Sequence, residues 1–127
     1  MKTATDPRHL NRIQAFKQIF SQSFLPQTIN NELAQNTLDH QTEIDTIIQK
    51  CAPEWPLPQI NRVDLAVLRL AVFELLYKDD TPTKVILDEA VEIAKRYGGS
   101  SSSSFVNGAL AAALKLTNRQ TDGKQPE

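Results

Sequence analysis

Four cations, Lys2, Arg8, Arg12 and Lys17, fall within the first twenty residues against one acid, Asp6. Arg8 and Arg12 are four positions apart, so on a helix both project from one side. Basic groups gathered in this way suit a polyanion, although an ordinary solvated face has the same composition and charge alone does not choose. Far along the chain, Gly98-Gly99 is followed by five serines, Ser100 to Ser104, and then Phe105. A helix opening there points its first N–H groups into the serine loop. Together with hydroxyls such as that of Ser101, those groups can bind phosphate, or the serines can simply cap the helix. Phe105 can staple the core or stack on a base. Cations, a helix amino terminus and a ring together fit single-stranded RNA better than a small-molecule pocket.

Other constellations lead nowhere. His40 and Glu43 are one turn apart with Asp45 beside them, but no second histidine pair and no Glu-x-x-His repeat completes a coordination shell, so these residues read as solvated surface. The single Cys51 cannot form an internal disulfide or supply a CxxC metal site. Gly98-Gly99 lacks the lysine of a phosphate loop and follows a helical pattern rather than a strand. Ser101 and Ser103 have no neighbouring histidine or lysine to act as base, since His9 and His40 lie in the opposite half of the sequence. The expectation is a non-enzyme with no metal and no cofactor.

The elements that must position these groups are helical. Apolar residues recur at helical spacing almost throughout, and β-branched runs bounded by Asn-Gly or Asp-Gly are missing. A first helix spans about Pro7 to Phe24, with Asp6 as cap, and Leu25-Pro26 ends it. Thr28 can cap a long second helix carrying Ile29, Leu33, Leu38, Ile44, Ile47 and Ile48. Pro53, Pro56 and Pro58 then force an extended corner in which Trp55 is expected to plug a gap. Ile60 to Tyr77 carries so wide an apolar stripe that it must be central and packed on several sides. A helix with Val85, Ile86, Ala90 and Ile93 inside follows Pro82 and stops at Gly98-Gly99, and a last one starts near Phe105. The fold class is therefore all-α, a bundle of about five helices.

With 127 residues, 40% of them hydrophobic and 23% charged, the chain suits one folded domain, expected over residues 1–118 with a flexible tail at 119–127. No apolar run approaches the ~20 residues of a membrane span and the opening is no signal segment, which leads to an expected cytoplasmic location. The charge is segregated: residues 1–20 are net +3, whereas residues 27–60, with five acids against Lys50, are net −4.

Three ordered blocks carry a resemblance. They are Asn61 to Leu76 (NRVDLAVLRLAVFELL), Lys84 to Gly98 (KVILDEAVEIAKRYG) after Pro82, and Phe105 to Leu110 (FVNGAL). Over about residues 55–116 the chain resembles the NusB family of transcription antitermination factors. That resemblance implies an all-α fold of two packed helical bundles. It also implies binding of the boxA element of nascent RNA together with the ribosomal protein NusE, within an RNA polymerase complex that suppresses termination, notably in ribosomal RNA operons. Relatives open with an arginine-rich first helix; here Arg8 and Arg12 keep two of its arginines and His9 stands where another is common. The stretch before the central helix is shorter than in relatives by about one helix, leaving Thr28 to Cys51 to serve for two. By the same resemblance, Arg8 and Arg12 meet RNA phosphates with Lys2 nearby, Phe105 approaches a base, and Asp64 and Arg69 lie where relatives approach NusE. Asn107 and Gly108 are expected to be structural, the glycine permitting close helix packing. Two other readings remain compatible: a NusB-fold protein-interaction module with little RNA affinity, and a stand-alone relative of the RNA-binding domain of RNA-cytosine methyltransferases.

Overall fold

The computed structural model describes residues 6–119, which form six α-helices and one short 3-10 turn with no strand among them. In chain order these are α1 (Pro7–Gln22), α2 (Glu32–Asp39), α3 (Gln41–Cys51), the 3-10 turn Leu57–Gln59, α4 (Arg62–Tyr77), α5 (Thr83–Tyr97) and α6 (Ser102–Leu116).

The apolar surplus of α4 decides the architecture. Eleven of its sixteen residues are buried, so it can be stable only with neighbours on most of its circumference. Asn61 starts it by accepting the N–H groups of Val63 and Asp64 at 2.8 and 3.2 Å. Cross-helix contacts fix the directions of its neighbours. Arg12 meets Glu74 and the Ser23 carbonyl meets Arg62, so α1 runs antiparallel to α4. Asp45 meets Arg69 and Glu43 meets Tyr77, so α3 does the same on another side. His9 meets Glu89 while Phe16 packs on Tyr97, so α1 and α5 lie side by side in parallel. One core joins all six helices, with Phe16 and Ile19, Leu33, Ile44 and Ile48, Leu68 and Val72, Ile86 and Ile93, and Val106 and Leu110 buried together.

The amino half differs from the sequence expectation in a specific way. The single long helix is two helices broken at His40, which makes the bundle one helix richer than expected. Thr28 does not cap; Asn31 does, accepting the Ala34 N–H at 2.9 Å. The preceding loop is pinned by Gln18, whose side-chain Oε1 accepts the N–H groups of Asn30 and Asn31. Trp55 does not plug a gap either and stands 49% exposed, because the Gln49 side chain, bonded to the Trp55 carbonyl and the Leu57 N–H, ties down the corner's backbone. Helix α6 begins at Ser102, one turn earlier than expected.

Two glycines exchange roles. A side chain on Gly108 would meet nothing within 4 Å, so no close packing depends on it. A Cβ on Gly98 would lie 2.3 Å from the Ser102 hydroxyl and 2.7 Å from the Ala94 carbonyl, and any side chain there would push α6 away from α5.

Candidate nucleic-acid interface

Asp6 sets the amino end of α1. Its carboxylate accepts the Arg8 N–H at 2.9 Å, which holds that carboxyl below its usual range. The Arg8 side chain is exposed and only loosely near Asp6, at 3.6 Å, so its charge faces solvent. It stands between two clefts of about 330 Å³ each, both also lined by Arg12, Asp80 and Thr81.

Arg12 lies one turn on but is not a free surface cation. Arg12 is only 7% exposed, and its Nε donates to both oxygens of the likewise buried Glu74 at 2.9 and 3.1 Å. Glu74 is among the last residues of the central helix, so the pair locks α1 onto α4. His9 is turned inward too: its Nδ1 lies 2.7 Å from Glu89 and its Nε2 3.8 Å from Glu92, both on α5.

The line α1 shares with α5 continues to a group that sequence reasoning did not single out. Tyr97, the last residue of α5, is half-buried against Phe16 with ring centroids 5.3 Å apart. Lys17 from α1 places its ammonium 5.7 Å from the Tyr97 ring centre, and Arg96 places its guanidinium 5.5 Å away. Both cations are exposed. A ring anchored on the core and flanked by two cations can stack on a base while the cations meet phosphates. The signal available in the sequence was Arg96-Tyr97 immediately ahead of Gly98-Gly99.

Beyond Tyr97 comes the serine loop. Ser101 is exposed and makes no side-chain capping bond, so α6 opens uncapped toward the solvent. Ser102 turns inward, its hydroxyl accepting the Gly99 N–H at 2.9 Å. Phe105, in the first turn of α6, is half-buried and packs against the core. Arg8 and the start of α6 therefore stand at opposite ends of α5. Fifteen helical residues place them about 20 Å apart. These groups form a line, not a pocket, with Lys17, Arg96 and Tyr97 toward its far end. Lys2 lies outside the described residues.

The two residues expected at a partner surface also face inward. Asp64 is 6% exposed, and one of its carboxylate oxygens has no hydrogen-bond partner. Burial pushes its carboxyl above the usual range, opposed by the Ser102 hydroxyl. Arg69 is half-buried and donates through Nε and Nη2 to the two oxygens of Asp45 at 2.9 and 3.0 Å. The physical reason is position: Asp64 lies in the first turn of α4 over the start of α6, and Arg69 faces α3. His40 and Glu43 serve packing. The His40 ring lies on Tyr77, with centroids 4.4 Å apart. Glu43 accepts the Tyr77 hydroxyl at 2.5 Å, which raises that phenol above its usual range. No group of three or more metal-ligating side chains occurs among the described residues, and none of their helices is long and apolar enough to cross a membrane.

An all-α molecule built on a central apolar helix, with one cation-lined edge, is the class that fold and surface define. The NusB family model matches residues 9–115. The transcription antitermination protein NusB of Acetivibrio thermocellus is 42% identical over 94 residues, covering 74% of this chain and 65% of that protein. The NusB of Lachnoclostridium phytofermentans is 50% identical over 72 residues, covering 57% and 54%. In these matches the chain spans less than two thirds of either relative's length. The solved NusB of T. maritima superposes with a TM-score of 0.80 at 33% identity, covering 91% of this chain and 93% of that one. A structure of antitermination factors NusB and NusE in complex with dsRNA shares the fold, with a TM-score of 0.75 at 24% identity over 86% and 96% of the two chains. The chain belongs to the NusB family.

Proposed function

We propose that this protein is a non-enzymatic RNA-binding antitermination factor. In this reading it binds boxA-type single-stranded RNA together with a NusE-type ribosomal protein and joins an RNA polymerase complex that suppresses termination, notably on ribosomal RNA operons. A cytoplasmic location follows. The observation that carries the reading is the line of exposed cations that runs from Arg8 to Lys17 and Arg96, the latter two flanking the anchored Tyr97 ring, and on to the uncapped start of α6 at Ser101 and Phe105. At roughly 3.4 Å per stacked nucleotide, about 20 Å accommodates about six nucleotides. The cations neutralise phosphates, the start of α6 takes one in place of a cap, and Tyr97 and Phe105 offer faces to bases. Arg12 floors the Arg8 clefts and acts chiefly by fixing the helix that presents Arg8. Lys2 extends the same basic end. The partner approaches the amino-terminal half of α4, where Asp64 and Arg69 hold α6 and α3 in place.

Fluorescence anisotropy of a labelled boxA-type RNA and a scrambled control, titrated with this protein alone and with a NusE-type partner, tests the proposal. Preferential binding that tightens with the partner is expected. A tight protein complex with no RNA preference would instead make the chain a protein-interaction module.

A further inference from the structure

Arg119 falls at the start of the stretch expected to be a free tail and beyond the span matched by the family, yet it is among the most fully bonded side chains of the described molecule. Its Nε donates to the Thr83 hydroxyl at 2.9 Å. Its Nη1 donates to the carbonyls of Glu74 and Leu75 at 3.3 and 2.9 Å, and its Nη2 to the carbonyls of Lys78, at 3.1 Å, and Thr81. A guanidinium carries five N–H donors in a planar fork. Here they meet five acceptors: the carbonyls of Glu74 and Leu75 at the end of α4, those of Lys78 and Thr81 in the turn after it, and the hydroxyl of Thr83, the first residue of α5. The positive charge also complements the carboxyl end of the α4 dipole.

What Arg119 holds is the wall beside Arg8. Thr81 lines both clefts that flank Arg8, and Lys78 lines one of them. Glu74, whose carbonyl Arg119 takes, is also the residue whose carboxylate holds Arg12. A continuous set of bonds therefore runs from Arg119 through the end of α4 to α1.

We propose that Arg119 is a positioning residue for RNA: by clamping the turn between α4 and α5 it fixes the clefts in which Arg8 meets a phosphate. This rests on the RNA-binding reading above. Without the clamp, the turn can move away from α1 while the core, built from other residues, stays packed. A lysine cannot replace Arg119, because three donors on one nitrogen do not span five acceptors spread over a helix end and a turn.

The test uses the full chain with Arg119→Ala and Arg119→Lys, read in two ways. Hydrogen exchange should show faster exchange confined to amides of residues 78–83 in both variants. Affinity for a boxA-type RNA should fall about tenfold in both, the scale of one lost charge-assisted contact. Adding Arg119→Ala to Arg8→Ala should weaken binding no further, whereas adding it to Phe105→Ala should multiply the two losses. Faster exchange with unchanged RNA affinity would overturn the proposal and leave Arg119 a brace of the fold alone. Equal losses on the Arg8 and Phe105 backgrounds would overturn it as well. If the wild-type protein shows no RNA affinity, the RNA-binding reading fails, and the exchange data separately report whether the clamp exists.

Discussion

Replacing Arg12 by alanine should cost about 3–5 kcal/mol of folding stability, whereas Arg8→Ala should stay within about 0.5 kcal/mol of wild type. The two arginines are one turn apart on the same helix, and only their surroundings separate them. Arg8 lies in solvent, where a lost charge is replaced by water. Removing Arg12 leaves the Glu74 carboxylate buried with no counter-ion and takes away the link between α1 and α4. A domain of this size holds about 5–15 kcal/mol, so the loss is a large share of the total. Urea unfolding followed by circular dichroism reads it directly as a drop in midpoint at unchanged slope. Joint replacement of Arg12 and Glu74 by leucine should recover most of the loss, because a well-packed apolar pair avoids the cost of burying charge. A wild-type midpoint for Arg12→Ala would show that the pair contributes nothing.

The second large effect concerns RNA and salt. With Arg8, Lys17 and Arg96 on phosphates, the logarithm of the association constant should fall against the logarithm of salt concentration with a slope near −2, from about −0.7 per contact on a single strand. Each of Arg8→Ala, Lys17→Ala and Arg96→Ala should flatten that slope by about 0.7. Tyr97→Phe should keep affinity, and Tyr97→Ala should lose about 1–3 kcal/mol of stacking without altering the slope. Cation and ring contributions therefore separate in a single titration series. A slope that Lys17→Ala and Arg96→Ala leave unchanged would remove the far end of the line from the interface.

The carboxyl half was legible in the sequence because its signals are local. The apolar surplus of residues 63–76 leaves no exposed face for a helix to keep, and Gly98-Gly99 marks an end that the structure places within a residue or two. The break between α2 and α3 was hidden by its own periodicity. Leu33, Thr37, Ile44 and Ile48 follow one another at steps of four, seven and four, so the inward stripe continues in phase across His40 and the pattern reads as one helix. The cap at Asn31 was hidden for another reason, since it depends on Gln18 from a different helix.

Among the candidate site residues, type and approximate face were legible and partnership was not. Arg12 is spoken for by Glu74, 62 positions away, and Arg69 by Asp45, 24 positions away. Nothing in the spacing of either arginine announces a buried counter-ion. Arg119 is illegible for the same reason: a charged residue near a terminus looks frayed until the carbonyls it reaches are known. Tyr97 carries no signal of its own, because a single aromatic at a helix end resembles any other core residue until Lys17 is seen to arrive from α1.

The central claim is that RNA lies along the edge shared by α1 and α5 and ends at the start of α6. Ultraviolet cross-linking of a boxA-type oligonucleotide to the wild-type protein, with the linked peptides located by mass spectrometry, tests it most directly. Cross-links at Tyr97 and Phe105 are expected, diminished in parallel as salt is raised. Cross-links confined to the acidic stretch of α2 and α3, with none at either ring, would contradict it.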